Sequence, residues 1–145
     1  MKRIYLILLP LVLVFAGASC SKQGCNNIEA ENFDAEADQN DGSCTYAGNV
    51  NFWCLPYVSD SLFTIEGHAM LRFELEGEIV DSIPTQSFFA AGGQCGLTGT
   101  KTIKRTYSGN TDRYYKYRVK GNGFITLYED IIEISANECT MIQLD

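Results

Sequence analysis

Asp34, Glu36, Asp38 and Asn40 recur at every second residue, and Asp41-Gly42 follows directly. Side chains that offer only oxygen at such spacing are what calcium takes as ligands, and Asp34, Asp38 and Asp41 are the candidate metal ligands. A helix-loop-helix calcium loop needs glycine at its sixth position and a bidentate acid at its twelfth. Counted from Asp34, those positions hold Gln39 and Thr45; counted from Glu36, the glycine position holds Asp41. Both frames fail. A second reading needs no metal. Cys25 and Cys44 bracket the stretch and can close it as a disulfide. Asn26 with Glu29 three residues on can form a capping box over a short helical turn, and Asp41-Gly42 can form a tight turn. Closing a loop of about twenty residues contributes roughly 3 kcal/mol in the chain-entropy picture. With Ile28, Phe33 and Tyr46 as its only large apolar groups, the segment cannot fold by burial alone. The closed loop is favoured and the calcium site stays open.

A second concentration of chemistry lies at residues 101–120. Lys101, Lys104, Arg105, Arg113, Lys116, Arg118 and Lys120 face a single acid, Asp112, and Tyr107, Tyr114, Tyr115 and Tyr117 interleave with them. A basic, aromatic hairpin of this kind can hold an acidic glycan or a phosphate-bearing ligand by charge and stacking. Tyr114, Lys116 and Arg118 are the candidate ligand-binding residues. Alternation along a strand would instead point Tyr115, Tyr117 and Val119 inward and leave the outward cations to pair with Glu74, Glu76 and Glu78.

His68 is the single histidine. That excludes multi-histidine metal sites and any catalytic histidine pair. No G-x-S-x-G nucleophile motif and no C-x-x-C spacing occurs. The expectation is a protein that is not an enzyme and needs no cofactor, with calcium the one exception held open. Net charge is −7 for the 145 residues. Such an acidic balance argues against nucleic acid, whose phosphates need cations.

The elements that must position these residues are strands. Val50 and Phe52 alternate with Asn51 and Trp53, and Phe52 with Trp53 reads as core. Leu71, Phe73 and Leu75 alternate with Arg72, Glu74 and Glu76, and Gly77 turns the chain back into Ile79–Ile83. Breaks at residues 108–112, at Gly121-Asn122-Gly123 and at Glu129-Asp130 divide the remainder. Pro56 and Pro84 fall at strand ends, where proline is tolerated. About seven short strands in a hundred residues indicate an all-β fold, an antiparallel β-sandwich preceded by a small disulfide-closed loop. If first and last strands pair antiparallel, Cys54 meets Cys139 as a second disulfide and Cys95 is left over.

The chain begins MKRIYLILLPLVLVFAGASC. Lys2 and Arg3 precede an apolar run, Ile4 to Phe15, too short to span a bilayer and suited to an export signal. "AGASC" resembles the lipobox of bacterial lipoproteins, with Gly17 where the usual pattern prefers Leu. That reading makes Cys20 the lipid-attachment residue and new N-terminus. The alternative is cleavage after Ala18, which yields a secreted soluble protein. With Cys20 lipidated five cysteines remain and one is unpaired; otherwise six could form three disulfides. The organisation expected is a signal at 1–19, a polar tether at 20–24, the acidic motif at 25–46 and the sandwich at 47–145. Loss of Lys2 and Arg3 leaves 9 basic and 18 acidic side chains, a mature charge of −9.

"GCNNIEAENFDAEADQNDGSCTY" is similar to a cysteine-bounded motif of secreted and surface proteins of the Bacteroidota, G-C-x-x-x-x-A-x-N-[YF]-[DN]-x-x-A-x-x-x-D-G-S-C-x-Y. The match is at Gly24, Cys25, Ala30, Asn32, Phe33, Asp34, Ala37, Asp41, Gly42, Ser43, Cys44 and Tyr46. Asn26-Asn27 stands where the family often has Thr-Asp. The rest, from "GNVNFW" through "QCG" to the cysteine before "IQL", resembles small lipoprotein domains of the same bacteria. The resemblance implies an outer-membrane or periplasmic-face lipoprotein with a β-rich body and implies no reaction. The functional expectation is display, adhesion or binding of a glycan or protein ligand, with a calcium-dependent binding module as the alternative and an unrecognised enzyme as a distant third.

Overall fold

The computed structural model describes residues 21–145. The signal expected at 1–19 and the expected lipid-attachment residue Cys20 lie outside the described residues. Two short strands come first, β1 (Gln23–Gly24) and β2 (Gln39–Asn40), paired in parallel. Seven strands follow: β3 (Thr45–Cys54), β4 (Met70–Leu75), β5 (Glu78–Pro84), β6 (Lys101–Ser108), β7 (Asp112–Lys120), β8 (Thr126–Ser135) and β9 (Cys139–Leu144). They form a three-stranded sheet in the order β6-β3-β9 and a four-stranded sheet in the order β5-β4-β7-β8. The two sheets enclose one apolar core, so the all-β sandwich expected from strand alternation is the fold.

Alternation sets which side chains fill that core. Val50 and Phe52 from β3 meet Leu71, Phe73 and Leu75 from β4 and Tyr115, Tyr117 and Val119 from β7, all buried. Phe52 lies 5.0 Å from Phe73 and 5.2 Å from Tyr117 between ring centroids, and Phe73 lies 5.5 Å from Phe88. Trp53, expected in the core beside Phe52, points to the opposite face and is half-buried. Where β3 crosses β8, a Cβ on Gly48 would come within 2.3 Å of the Ser135 carbonyl oxygen. Only glycine lets the two sheets close to that distance.

The β4–β5 hairpin turns as expected. Glu76 and Gly77 are its two loop residues, both with positive φ (51° and 88°), the left-handed pair that matches strand twist. Other expectations change. The stretch 101–120 is not a paired hairpin. β6 lies in the three-stranded sheet beside β3, whereas β7 pairs with β4 and β8 in the other. The short turn at 109–111 therefore crosses between sheets. Within the tether expected at 20–24, Gln23–Gly24 form β1 and the Lys22 carbonyl accepts the Asp38 N–H at 2.9 Å. The sandwich begins at Thr45, directly after Cys44, so Tyr46 belongs to its core and not to the preceding motif.

A helical segment was not expected. Pro56–Asp60 form the α-helix α1, continued by a wider π-helical turn at Ser61–Ile65. Pro56 starts it at a position where the missing N–H costs nothing. Val58 and Leu62, four residues apart on one face, bury against the sandwich.

The pairing of first and last strands also differs from expectation, and it decides the second disulfide. β3 and β9 run parallel, with Asn49 opposite Cys139 and Cys54 opposite Leu144. Cys54 and Cys139 thus sit at opposite ends of the pair, and the expected Cys54–Cys139 bridge does not form. Cys95 bridges to Cys139 instead, and Cys54 is a free, buried thiol.

Candidate functional site

The acidic stretch is closed by Cys25–Cys44, whose two residues are buried (1% and 3% exposed). Its acids and amides are spent on the chain itself. Carboxylate or amide oxygens of Asn27, Asp34, Asn40 and Asp41 accept the N–H two residues on, at 2.8–3.0 Å. These are Asx turns, which shape the loop without any regular element. The turn at the start is made by Asn27, not by the expected Asn26 cap. Asn32 holds the ends together, donating to the Ser43 carbonyl and accepting from the Thr45 N–H, both at 2.8 Å. The Asn27 amide reaches the Tyr46 hydroxyl at 3.0 Å, tying the loop to the first sandwich strand.

Lys22 is the cation among these acids. Its Nζ lies 2.8 Å from Asp34 and 2.9 Å from Glu36, and its N–H donates to Asp38 at 3.2 Å. The hydrogen bond from Lys22 holds the Asp34 carboxyl below its ordinary value, and that from Ser43 does so for Asp41. The structure does not gather the three candidate metal ligands. Asp34 faces Lys22, Asp38 faces the Lys22 backbone and Asp41 faces Ser43. Among the described residues no group of three His, Cys, Asp or Glu side chains is placed to hold a metal ion.

The basic residues are divided between the sheets and mostly paired. Tyr115, Tyr117 and Val119 point inward while Tyr114, Lys116 and Arg118 point out. Arg118 lies 2.5 Å from Glu74 and 3.0 Å from Glu129, Lys116 lies 3.2 Å from Glu129, and Lys120 also pairs with Glu74. Glu74 is buried (4% exposed), and the hydrogen bonds from Lys120 and Arg118 hold its carboxyl below the ordinary range. Glu76 accepts the Lys116 N–H at 2.6 Å. On the other sheet Lys101 pairs with Asp81 at 2.6 Å and Lys104 with Glu31 at 2.6 Å. Tyr114 is exposed, and the facing Glu133 carboxylate raises its pKa. Of the three candidate ligand-binding residues, Arg118 meets Glu74 as the cross-strand reading expects, while Lys116 pairs with Glu129 of β8 rather than with Glu76 or Glu78.

His68 is structural. It is buried; its Nδ1 accepts the Asn122 N–H at 3.2 Å, and a Cβ on Gly121 would come within 2.5 Å of that same nitrogen. Cys54 is likewise closed off. Its Sγ donates to the Phe88 carbonyl at 3.0 Å, and burial pushes the thiol up to about 11. A thiol so raised has little thiolate at neutral pH and is a poor nucleophile.

A concave site among the described residues lies apart from these groups, and no sequence motif marks it. A cavity of about 200 Å³ opens between α1, the turn after it, β8 and the residue following β9. Val58 and Leu62 form its apolar floor. Tyr57 and Tyr128 stand beside it with the acids Glu66 and Asp145. Burial above all, and then the carboxylates of Glu66 and Asp145 nearby, raise the Tyr128 pKa.

No family model, curated protein or solved structure matches the chain.

Sequence reasoning missed the cleft because its residues lie at positions 57–66, 128 and 145, which only the fold brings together. The one local signal is Leu55-Pro56 followed by Val58 and Leu62 at helical spacing, which marks α1 but not what it borders. Several residues of the cysteine-bounded pattern do have structural duties. Besides Asn32, Asp34, Asp41 and Tyr46, Gly24 packs where a Cβ would lie 3.2 Å from that of Ala37.

Proposed function

We propose that this protein is an exported envelope module, held to a membrane by lipid on Cys20, that displays a β-sandwich for ligand binding and carries out no catalysis. The observation that carries this reading is the state of the other cysteines. Of the five among the described residues, four are closed as Cys25–Cys44 and Cys95–Cys139, and the fifth, Cys54, is a buried thiol (0% exposed). Cys20 therefore has no accessible cysteine partner. A third disulfide, which six cysteines would allow, needs Cys54 as a partner for Cys20, and Cys54 is shut in the core. Two disulfides also suit an oxidising compartment outside the cytoplasm.

The fold of the N-terminal module supports the same reading. The described residues bond into the module from Lys22 onward, so a lipid on Cys20 would hold the acidic module close to the bilayer surface. The ion-paired strands favour binding or display over catalysis, since the surface acids and bases neutralise one another.

Fractionation of cells producing Cys20→Ala tests the proposal. The parent protein is expected in the membrane fraction and the variant in the soluble exported fraction. Equal membrane association of both would sink the lipid anchor.

A further inference from the structure

We infer that the cleft beside α1 binds a small organic ammonium ion, a ligand with a fixed positive charge and an apolar body. This rests on the binding-module reading above and supplies its ligand class.

What sets the cleft apart is that two acids without a lysine or arginine partner stand beside two tyrosine rings and an apolar floor. Three acids elsewhere on the sandwich show the opposite arrangement. Glu74 has Arg118 and Lys120, Glu129 has Lys116 and Arg118, and Asp81 has Lys101. The two acids of the cleft have neither lysine nor arginine. Glu66 has only His68, with Nε2 at 3.6 Å, a cationic partner only when protonated. Asp145 has no ion-pair partner among the described residues. No lysine or arginine borders the cavity. The charged side chains that border it are thus acids alone.

The remaining groups select among cations. Calcium and magnesium require several oxygen ligands at short range, and no three acidic or metal-ligating side chains are gathered here. Tyr57 and Tyr128 instead offer two aromatic rings, whose faces attract a weakly hydrated cation. Val58 and Leu62 offer an apolar floor for N-alkyl groups. An ammonium bearing methyl groups uses all three features: the carboxylates for its charge, the rings for its polarised methyls and the floor for its carbon surface. A strongly hydrated inorganic ion uses only the first. A cavity of about 200 Å³ admits a compact ligand of this class and excludes a polymer chain from deep entry.

Calorimetric titration of the detergent-solubilised full chain with choline, and in parallel with its uncharged carbon isostere 3,3-dimethylbutan-1-ol, tests the inference. Saturable choline binding is expected, with the neutral isostere roughly tenfold weaker or worse, since loss of about 1.4 kcal/mol is tenfold. Glu66→Gln and Tyr57→Ala, both at exposed positions and expected to melt with the parent, should each weaken choline by roughly tenfold. Equal binding of choline and the isostere would overturn the inference, since the cleft would then be a merely apolar groove. So would calcium binding that displaces choline, choline affinity unchanged in both variants, or no choline binding. Failure here with Cys20-dependent membrane association intact removes the ligand class alone. Loss of that association removes the anchored reading whatever the cleft binds.

Discussion

The loop module at residues 22–44 and the sandwich at 45–145 are held together by different forces. The sandwich buries large side chains from both sheets around Phe52, Phe73 and Tyr117. The module buries little besides its two half-cystines and Ala30, and its large apolar residues Ile28 and Phe33 are exposed. What orders it is one disulfide, a set of side-chain-to-backbone hydrogen bonds and Lys22. Burial makes a fold insensitive to any single polar contact, whereas a fold without a core depends on each covalent and polar constraint. The module borrows from its neighbour too, since the Asn27 amide bonds the Tyr46 hydroxyl on β3. The dependence should run one way.

The largest effect is expected in the sandwich. Phe52→Ala removes a fully buried ring that touches both sheets and should cost about 3–5 kcal/mol, read as a lower midpoint in chemical denaturation with loss of order in both regions. Cys25→Ser with Cys44→Ser removes a closure that contributes roughly 3 kcal/mol, and that loss should fall on the module alone. Amide exchange should show residues 22–44 open while β3 to β9 stay protected. If the whole chain unfolds together, the two regions are one cooperative unit and the contrast fails.

A smaller effect concerns Glu74, the buried acid between Arg118 and Lys120. Its folded pKa is depressed below the ordinary 4.5 by Lys120 and then Arg118. The stability it contributes is therefore full above that ordinary value and is lost as pH falls through the lower folded value. Glu129, held down by Arg118 and Lys116, acts in the same sense. Glu74→Gln should cost about 2 kcal/mol at pH 7, as expected for hydrogen bonds to a charged group that is partly screened. It should also reduce the acid-side slope of stability against pH. An unchanged slope would mean that the ion pairs of this sheet carry no stability.

The smallest effect separates a stapled loop from a metal loop. Melting curves with millimolar calcium and with chelator should coincide, because Asp34, Asp38 and Asp41 already serve Lys22 and the backbone. A saturable rise with calcium would show that metal replaces Lys22 as the organising cation.

Much of the sandwich was legible in the sequence because strand alternation is a local pattern. Leu71, Phe73 and Leu75, and Tyr115, Tyr117 and Val119, point inward as their period of two requires. Cys25–Cys44 was legible as well, since a polar segment without large core residues needs a covalent closure. What was not legible is what strands do to one another. Nothing in residues 101–120 states that β6 and β7 enter different sheets, so seven cations that read as one basic hairpin are dispersed. Nothing in β3 or β9 states that they run parallel, and that direction moved Cys139 away from Cys54 and toward Cys95. The cleft was hidden for the same reason, with Tyr57, Glu66, Tyr128 and Asp145 joined only by the fold. The role of Lys22 was not legible either, because its acid partners lie twelve and fourteen residues on.

The most direct test of the account is mass spectrometry of the membrane-extracted protein, intact and after digestion without reduction. The account predicts an N-terminal peptide that starts at a lipid-modified Cys20, cystines Cys25–Cys44 and Cys95–Cys139, and a Cys54 thiol that alkylates only after denaturation. A mass that matches a free Ser19 N-terminus, with Cys20 joined to Cys54 or to any other cysteine, would contradict it.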